Sequence, residues 1–592
     1  MKDFFKYVLA TVVGFFIVSI IGFFMLFTVI LAIIVSTEKQ VVVDNNSLLV
    51  IDLDRQVVDR SPNDPFSNLN ISGFTSAKTI GLDDIKESLN KAVDDSQIKG
   101  IYLKVSAFGG GMASAEEVRN MLLDFKGKSN KPVYAYGDSF DQKAYYVATV
   151  ADKIVIHPMG SVDFRGLGGE MIFYKNLLEK IGVEVQVVRG PDNKFKAAVE
   201  PFMLEKMSDE NREQQLVYMT SLWNRMLKGI SETRNIPIEK LNELADEVLT
   251  FKQGSDMVEA GLIDKTGFKD EVLDDLRYIT GIQAKKGVPI IGVADYVNAQ
   301  AQFDFNKFGS DKIAVIYLSG DIGASLGSES IIGDEIGREI RKVRQDSTYK
   351  AIVLRVNSPG GAVFDSEIIW REVKLAAEEK TVVASFGDVA ASGGYYISCA
   401  ADRIIAQPNT ITGSIGIFGT IPNFGELLND KLGITTDIVK TNKNSDLLSL
   451  TRPMTGYENE LLQKYIAQGY DTFLSHVAEG RNMTKEQVDF IGQGRVWSGE
   501  NAKEIGLIDD FGGLDDAIQL AAEIAGIEEY HIVSLPELPD PIEQFFKTVT
   551  DNISLRIIKS ELGDKYRYYE YFKKATRYNG IFARMPYDIY VK

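Results

Sequence analysis

Cysteine is nearly absent from this chain: Cys399 is the single one in 592 residues. A lone cysteine excludes an internal disulfide and any zinc cluster built on cysteines, so stability has to come from packing. Histidine is almost as scarce, with only His157, His476 and His531, which leaves few bases for a histidine-dependent hydrolase. Basic charge is also in deficit. Lys and Arg total 65 against 83 Asp and Glu, a net charge of −18, and a phosphate backbone would want the opposite balance. The acidic surplus reads as solubility, and nucleic acid is set aside as a partner. Charge of either sign is missing altogether between Lys6 and Glu38. That run exceeds the ~20 residues a helix needs to span a bilayer. It is longer than the roughly 7–15 residues of a signal-peptide apolar core, and no A-x-A-like cleavage site follows it. An uncleaved N-terminal membrane anchor over 1–38 is expected. Lys2 and Lys6, opposed by Asp3, favour a cytoplasmic N-terminus with everything after Ser36 translocated.

What the chain does have is a duplication. The length predicts at least two domains. IKGIYLKVSAFGGG (98–111) matches YKAIVLRVNSPGGA (349–362), and VYAYGDSFDQKAYYVATVADKIVIHP (133–158) matches VASFGDVAASGGYYISCAADRIIAQP (383–408). RNIPIEKLNELAD (234–246) recurs as RNMTKEQVDFIGQ (481–493), and GLID (261–264) as GLID (506–509). The runs SLLVIDLD (47–54) and KIAVIYLSG (312–320) are apolar and rich in β-branched residues, as buried parallel strands require. Each precedes an amphipathic helical stretch, 83–96 and 334–347. Strands alternating with helices predict two α/β repeats with largely parallel sheets. The expected organisation is an anchor over 1–38, a first repeat over 45–282, a connecting segment over 283–311 with a strand of its own, a second repeat over 312–530, and an extension over 531–592. The last stretch changes character. Residues 543–592 hold ten Lys or Arg, six acids and seven tyrosines, a mixture suited to a membrane interface, a subunit contact or an ordinary docked extension.

The copies differ where chemistry could reside. NSPGG (357–361) follows the strand AIVLRV and precedes a helix expected near Asp365. Its glycines can turn the backbone tightly and aim amides at a developing oxyanion, although a turn without a ligand fits equally. AASGGYYIS (390–398) places Ser392 before two glycines at a strand-to-helix junction. There it can act as a helix N-cap or as a nucleophile helped by free amides. The first copy has Gln142 at that position. Conversely, Lys196, in FKAAVEPFM, has roughly Leu447 as its counterpart. A serine nucleophile needs a base. His157 is replaced by Gln407 in the second copy, and His476 and His531 have no recognisable acidic partner. A lysine can serve if burial lowers its pKa, and Lys196 has apolar neighbours, whereas Lys194 reads as a loop residue. A solvated surface charge is the competing reading for Lys196.

NSPGG, AASGGYYIS, TGSIGIFG (412–419), KFKAAVEPF (194–202) and GRVWSGENAKEIGLID (494–509) resemble the signal peptide peptidase A (protease IV) family over residues 1 to about 530. The resemblance implies two tandem Clp/crotonase-like domains behind one transmembrane helix. It implies a serine endopeptidase with Ser392 as nucleophile, Lys196 as general base, the amides of Gly361 and Gly393 as oxyanion hole, and Ser414 orienting the lysine. It further implies no metal or organic cofactor and remnant signal peptides as substrates, bound extended along a strand such as SIGIF (414–418). A homotetramer in a bacterial cytoplasmic membrane, with its body on the outer side, completes the expectation. A crotonase-like acyl-thioester enzyme and a silent scaffold are the alternatives. Whether the lysine and serine meet within one chain or between two is open at this level.

Overall fold

The computed structural model describes residues 2–37, 41–62, 79–190, 193–283, 287–299, 311–323, 330–538 and 580–585. The chain opens with the helix Lys2–Thr37, many of whose side chains lie outside the described set. Among the described residues no helix is long and apolar enough to cross a membrane, so the expected anchor stands on the sequence alone.

Two α/β units follow. In the first, Ser47–Asp52, Ile98–Lys104, Val133–Gly137 and Lys153–Ile156 form parallel strands, with Lys265–Thr266 at one edge and Ile290–Gly292 at the other. In the second, Lys312–Ser319, Tyr349–Ser358 and Thr381–Ala391 repeat that parallel order. Ile411–Gly413 and Val496–Ser498 extend it on one side, and His531–Leu535 on the other. The connecting segment and the C-terminal extension thus each give an edge strand to a repeat. Helices cover both faces of such a sheet, which is why Ile313, Ala314, Val315 and Ile316 are all fully buried without alternation.

The amphipathic stretches fold as Leu82–Asp94 and Gly333–Gln345. Leu82, Ile85, Leu89 and Ala92 fall on one face of the former; Ile336, Ile340 and Val343 do so on the latter. Acids in the first turn (Asp83, Asp84; Asp334, Glu335) and bases in the last (Lys91; Lys342, Arg344) suit the helix dipole in both.

The repeats are joined as one body. A third sheet crosses between them in the order Ser330–Ile331, Asp321–Ile322, Gly360–Ala362, Gly580–Arg584, Phe418–Asn423, Glu184–Arg189, its last strand coming from the first repeat. Arg355 of the second repeat is buried against Asp59 and Glu117 of the first, at 2.7 Å from each. Asp388 reaches the other way and caps the helix Met112–Lys128, accepting from the Gly111 and Ser114 amides at 3.1 and 2.8 Å. Burying ions costs several kcal/mol apiece, so these pairs fix the register of the repeats more than they add net stability.

Candidate active site

The strand Thr381–Ala391 runs directly into Ser392, and the helix Gly393–Ser398 begins one residue later. Ser392 takes φ 55° and ψ −112°, a conformation that a side-chain-bearing residue adopts only when its surroundings enforce it. Its amide donates to Gly413 O at 2.8 Å, and its carbonyl accepts from Tyr396 N at 2.8 Å. The residue occupies the N-cap position, yet its side chain makes no cap hydrogen bond. The hydroxyl is turned instead toward Lys196, whose Nζ lies 2.8 Å from Ser392 Oγ. The Ser392 side chain therefore does not serve as a helix cap in this structure.

Lys196 is fully buried, as are Ser392 and Ser414. Its Nζ also donates to Ser414 O at 2.9 Å and to Ser414 Oγ at 3.0 Å. The loop that carries it is clamped onto the second repeat. Phe195 N donates to Gln493 O at 3.0 Å, and Asn193 Nδ2 donates to Ile417 O at 3.1 Å. Gln214 bridges the two, donating to Phe195 O and accepting from Val496 N. Lys194, two residues away, is exposed. Burial in this apolar setting pushes the Lys196 amine well below the ordinary lysine range, and the like charge of Arg584 pushes it further in the same direction. Within this chain the Lys196 amine, the Ser392 hydroxyl and both Ser414 oxygens stand together.

Gly361 and Gly393 lie on the two glycine turns, which touch: a Cβ built on Gly360 would stand 2.6 Å from Gly393 N. Gly360 has φ +99°, so a side chain there would be strained as well as blocked. Ser414 has φ +51° and is held by a 2.6 Å bond from its amide to Arg495 O. The expected strand over 414–418 is corrected: the strand starts at Phe418, because Ile415 and Ile417 turn into the core of the second repeat. His476 does have an acidic partner, contrary to expectation. Its Nε2 lies 3.1 Å from Glu367 Oε2 and its ring stacks on Trp370, a pairing brought about by the fold across 109 positions. His157 accepts from Met159 N and packs edge-on to Phe268.

Gly494 was not singled out by the sequence, although it opens a quoted motif. A Cβ on it would meet Lys196 Cβ at 2.6 Å. A signal was present, since the duplication offset of GLID sets Leu249 of the first copy opposite it. The residues just before, Val248 and Gln493, share the same left-handed turn at φ 54° and 52°.

The pattern of Peptidase family S49 matches residues 126–283 and again 374–528, one match in each repeat. Protease 4 of Salmonella typhi is 35% identical over 522 residues, covering 85% of this chain and 82% of that protein. Protease 4 of Haemophilus influenzae is 34% identical, covering 80% and 78%. The chloroplastic serine protease SPPA of Arabidopsis thaliana is 33% identical, covering 78% and 68%. Among solved structures, a point mutant of ClpP1 from Listeria monocytogenes matches 34% of the chain at TM-score 0.24 and 18% identity, a likeness too small to carry the fold. Both repeats match, and relatives spanning most of the chain are proteases: the chain belongs to Peptidase family S49 and is a serine peptidase.

Proposed function

We propose that this protein is a membrane-anchored endopeptidase in which Ser392 is the nucleophile and Lys196 its general base, acting on extended apolar peptides such as remnant signal peptides. The observation that carries the reading is the 2.8 Å approach of a fully buried Lys196 Nζ to Ser392 Oγ. A neutral amine has two N–H donors and one lone pair, and three oxygens surround this one. The donors satisfy Ser414 O and Oγ, which aims the lone pair at the Ser392 hydroxyl. After proton transfer the ammonium has three donors for the same three oxygens, so both protonation states fit without rearrangement.

As Ser392 Oγ attacks a peptide carbonyl, its proton passes to Lys196 Nζ. The negative oxygen that forms is met by the amides of Gly361 and Gly393, a kind of contact worth about 10²–10³ in rate per donor. Lys196 then protonates the leaving amine, and water releases the acyl group by the reverse sequence. Apolar substrates suit strand addition between Gly360–Ala362 and Phe418–Asn423, the place that Gly580–Arg584 takes in this structure. The uncharged run 7–37 supports an anchor, with the N-terminus cytoplasmic and the catalytic body outside the membrane. A Clp/crotonase-like ancestry and a tetrameric assembly belong to the same proposal.

Ser392→Ala and Lys196→Ala are each expected to abolish cleavage of an apolar reporter peptide with far-UV circular dichroism unchanged. A serine-reactive phosphonate should label Ser392 alone. Retained turnover in either variant would sink the reading, and acyl-thioester turnover surviving Ser392→Ala would favour a crotonase-like enzyme.

A further inference from the structure

Arg495 stands one position before the strand Val496–Ser498 and on the same face as Trp497, since alternate residues of an extended chain share a face. Its guanidinium carbon lies over the Phe195 ring at 4.6 Å and over the Trp497 ring at 4.5 Å from the centroids. Glu213 of the first repeat pairs with it at 2.9 Å, from a side chain that is more than half exposed. Arg495 Nε is buried with no hydrogen-bond partner among the described residues. The two aromatic faces therefore hold this head group more than a closed set of acceptors does. Phe195, Arg495 and Trp497 are each partly exposed, while Lys196, Ser414 and Val496 are buried, so the three form an outer layer over the lysine loop.

The backbone of the same residue reaches the other side of the site. Its carbonyl accepts from Ser414 N at 2.6 Å, and its amide donates to Gly492 O at 2.9 Å. Trp497 Nε1 donates to Ile491 O at 2.9 Å, and the ring closes on Gly413, where a built Cβ would stand 2.7 Å from Trp497 Cδ1. Gly413 O in turn accepts the Ser392 amide at 2.8 Å. Arg495 thus connects Phe195, the residue beside Lys196, to the turn that carries Ser414 and holds Ser392. The first copy has none of this. On the offset of the GLID motifs, Thr250 stands opposite Arg495 and Lys252 opposite Trp497. Only the copy that receives the lysine loop carries the arginine and the tryptophan.

We propose that Arg495 is a positioning residue for the general base: its guanidinium bridges Phe195 and Trp497, fixes the lysine loop against the Ser414 turn and keeps water from Lys196. The inference rests on the Ser392/Lys196 reading above. Arg495 acts through Phe195 and Ser414, not on the reacting atoms. Opening the stack admits water, which favours the ammonium and moves the amine back toward the ordinary lysine range. Of the charged groups, Arg584, itself paired with Asp321, acts on Lys196, whereas Arg495 is paired with Glu213. Loss of the Arg495 charge alone therefore does not reproduce the effect of opening the stack.

The test is the pH dependence of kcat and KM for cleavage of an apolar reporter peptide by the full-length protein in detergent. It compares wild type, Arg495→Ala, Arg495→Lys and Phe195→Leu, with Ser392→Ala as the blank and a thermal melt of each. Arg495→Ala is expected to lower kcat roughly tenfold near neutral pH, with KM nearly unchanged. The rising limb of its kcat profile should move up by about one pH unit, so that the defect shrinks as pH increases. Arg495→Lys keeps the charge without the planar head group and should show most of the same shift. Phe195→Leu removes one ring, should move the limb in the same direction, and reads the stack even if Arg495→Ala does not fold. A limb at the wild-type pH in Arg495→Ala, or in Phe195→Leu where the former does not fold, overturns the inference whatever the melt shows. So does a full wild-type profile in Arg495→Lys. In either case an inactive Ser392→Ala leaves the peptidase reading standing. Turnover retained by Ser392→Ala, or a wild type that cleaves nothing, overturns both.

Discussion

Gly494 and Lys196 share one space: a Cβ on the glycine would fall 2.6 Å from the lysine Cβ and 2.7 Å from its backbone nitrogen. The second repeat can close over the lysine loop only while position 494 is bare. Gly494 also sits at φ +81°, so an alanine there is strained whatever room is made. Gly494→Ala is expected to lower kcat by roughly ten- to a hundredfold, the equivalent of about 1.4–2.7 kcal/mol in the barrier. KM should change little, because the damage is to the lysine loop and not to the groove. Steady-state kinetics beside a thermal melt separate this from a general loss of fold.

Depression of the Lys196 pKa fixes the sign of two pH effects. The proposed mechanism needs the neutral amine, so on it kcat/KM should rise with pH through the depressed folded-state value and then level off. It should not wait for the ordinary lysine range. Stability runs the same way. The unfolded chain binds the proton more tightly than the folded one, so folding gains stability as pH rises between the two values, at about 1.4 kcal/mol per unit. Lys196→Met lacks this titration. Its stability relative to wild type should therefore be highest at low pH and decline as pH climbs toward the ordinary lysine value, as chemical denaturation at several pH values would reveal. A difference independent of pH would show that the lysine is not buried neutral.

Mixing Ser392→Ala chains with Lys196→Ala chains is expected to recover no cleavage. The lysine loop is bonded to its own second repeat through Phe195, Asn193 and Gln214. Recovery would require exchange of that whole loop between chains. Regained turnover after co-refolding, absent after simple mixing, would indicate such an exchange.

Glu117→Ala tests the joint between the repeats. Removing one partner from a buried ion cluster costs about 3–5 kcal/mol, and the lower end is expected because Asp59 remains on Arg355. For one cooperative body of this length the melting temperature should fall by roughly 2–4 °C. Arg355 lies on the strand that leads to Ser358 and the glycine turn, so residual activity at low temperature should fall too.

Much of this was legible in the residues. Parallel strands and amphipathic helices announced themselves because their burial pattern is local, and comparison of the copies isolated Ser392 and Lys196. Three features were not legible. Glu184–Arg189 pairs with Phe418–Asn423 across more than one domain's worth of chain, and neither run carries a signal naming the other. His476 gains Glu367 only through folding. Gly580–Arg584 is five residues inside a basic, tyrosine-rich stretch, and composition averaged over that stretch hides a short apolar strand.

The first copy has a backbone of its own at the position that matches Ser392. There the helix starts at Gln142, capped by Asp141 at φ −70°, one position earlier than at Ser392 with its φ of +55°. Gln142 Oε1 accepts from the Arg165 and Gly166 amides at 2.9 Å, so the side chain has become part of the scaffold. Writing a serine at 142 would put a hydroxyl on an ordinary first helical turn and strip those two amides of their partner. The first copy is a separate local minimum, and a single exchange at 142 does not reproduce the backbone that holds Ser392.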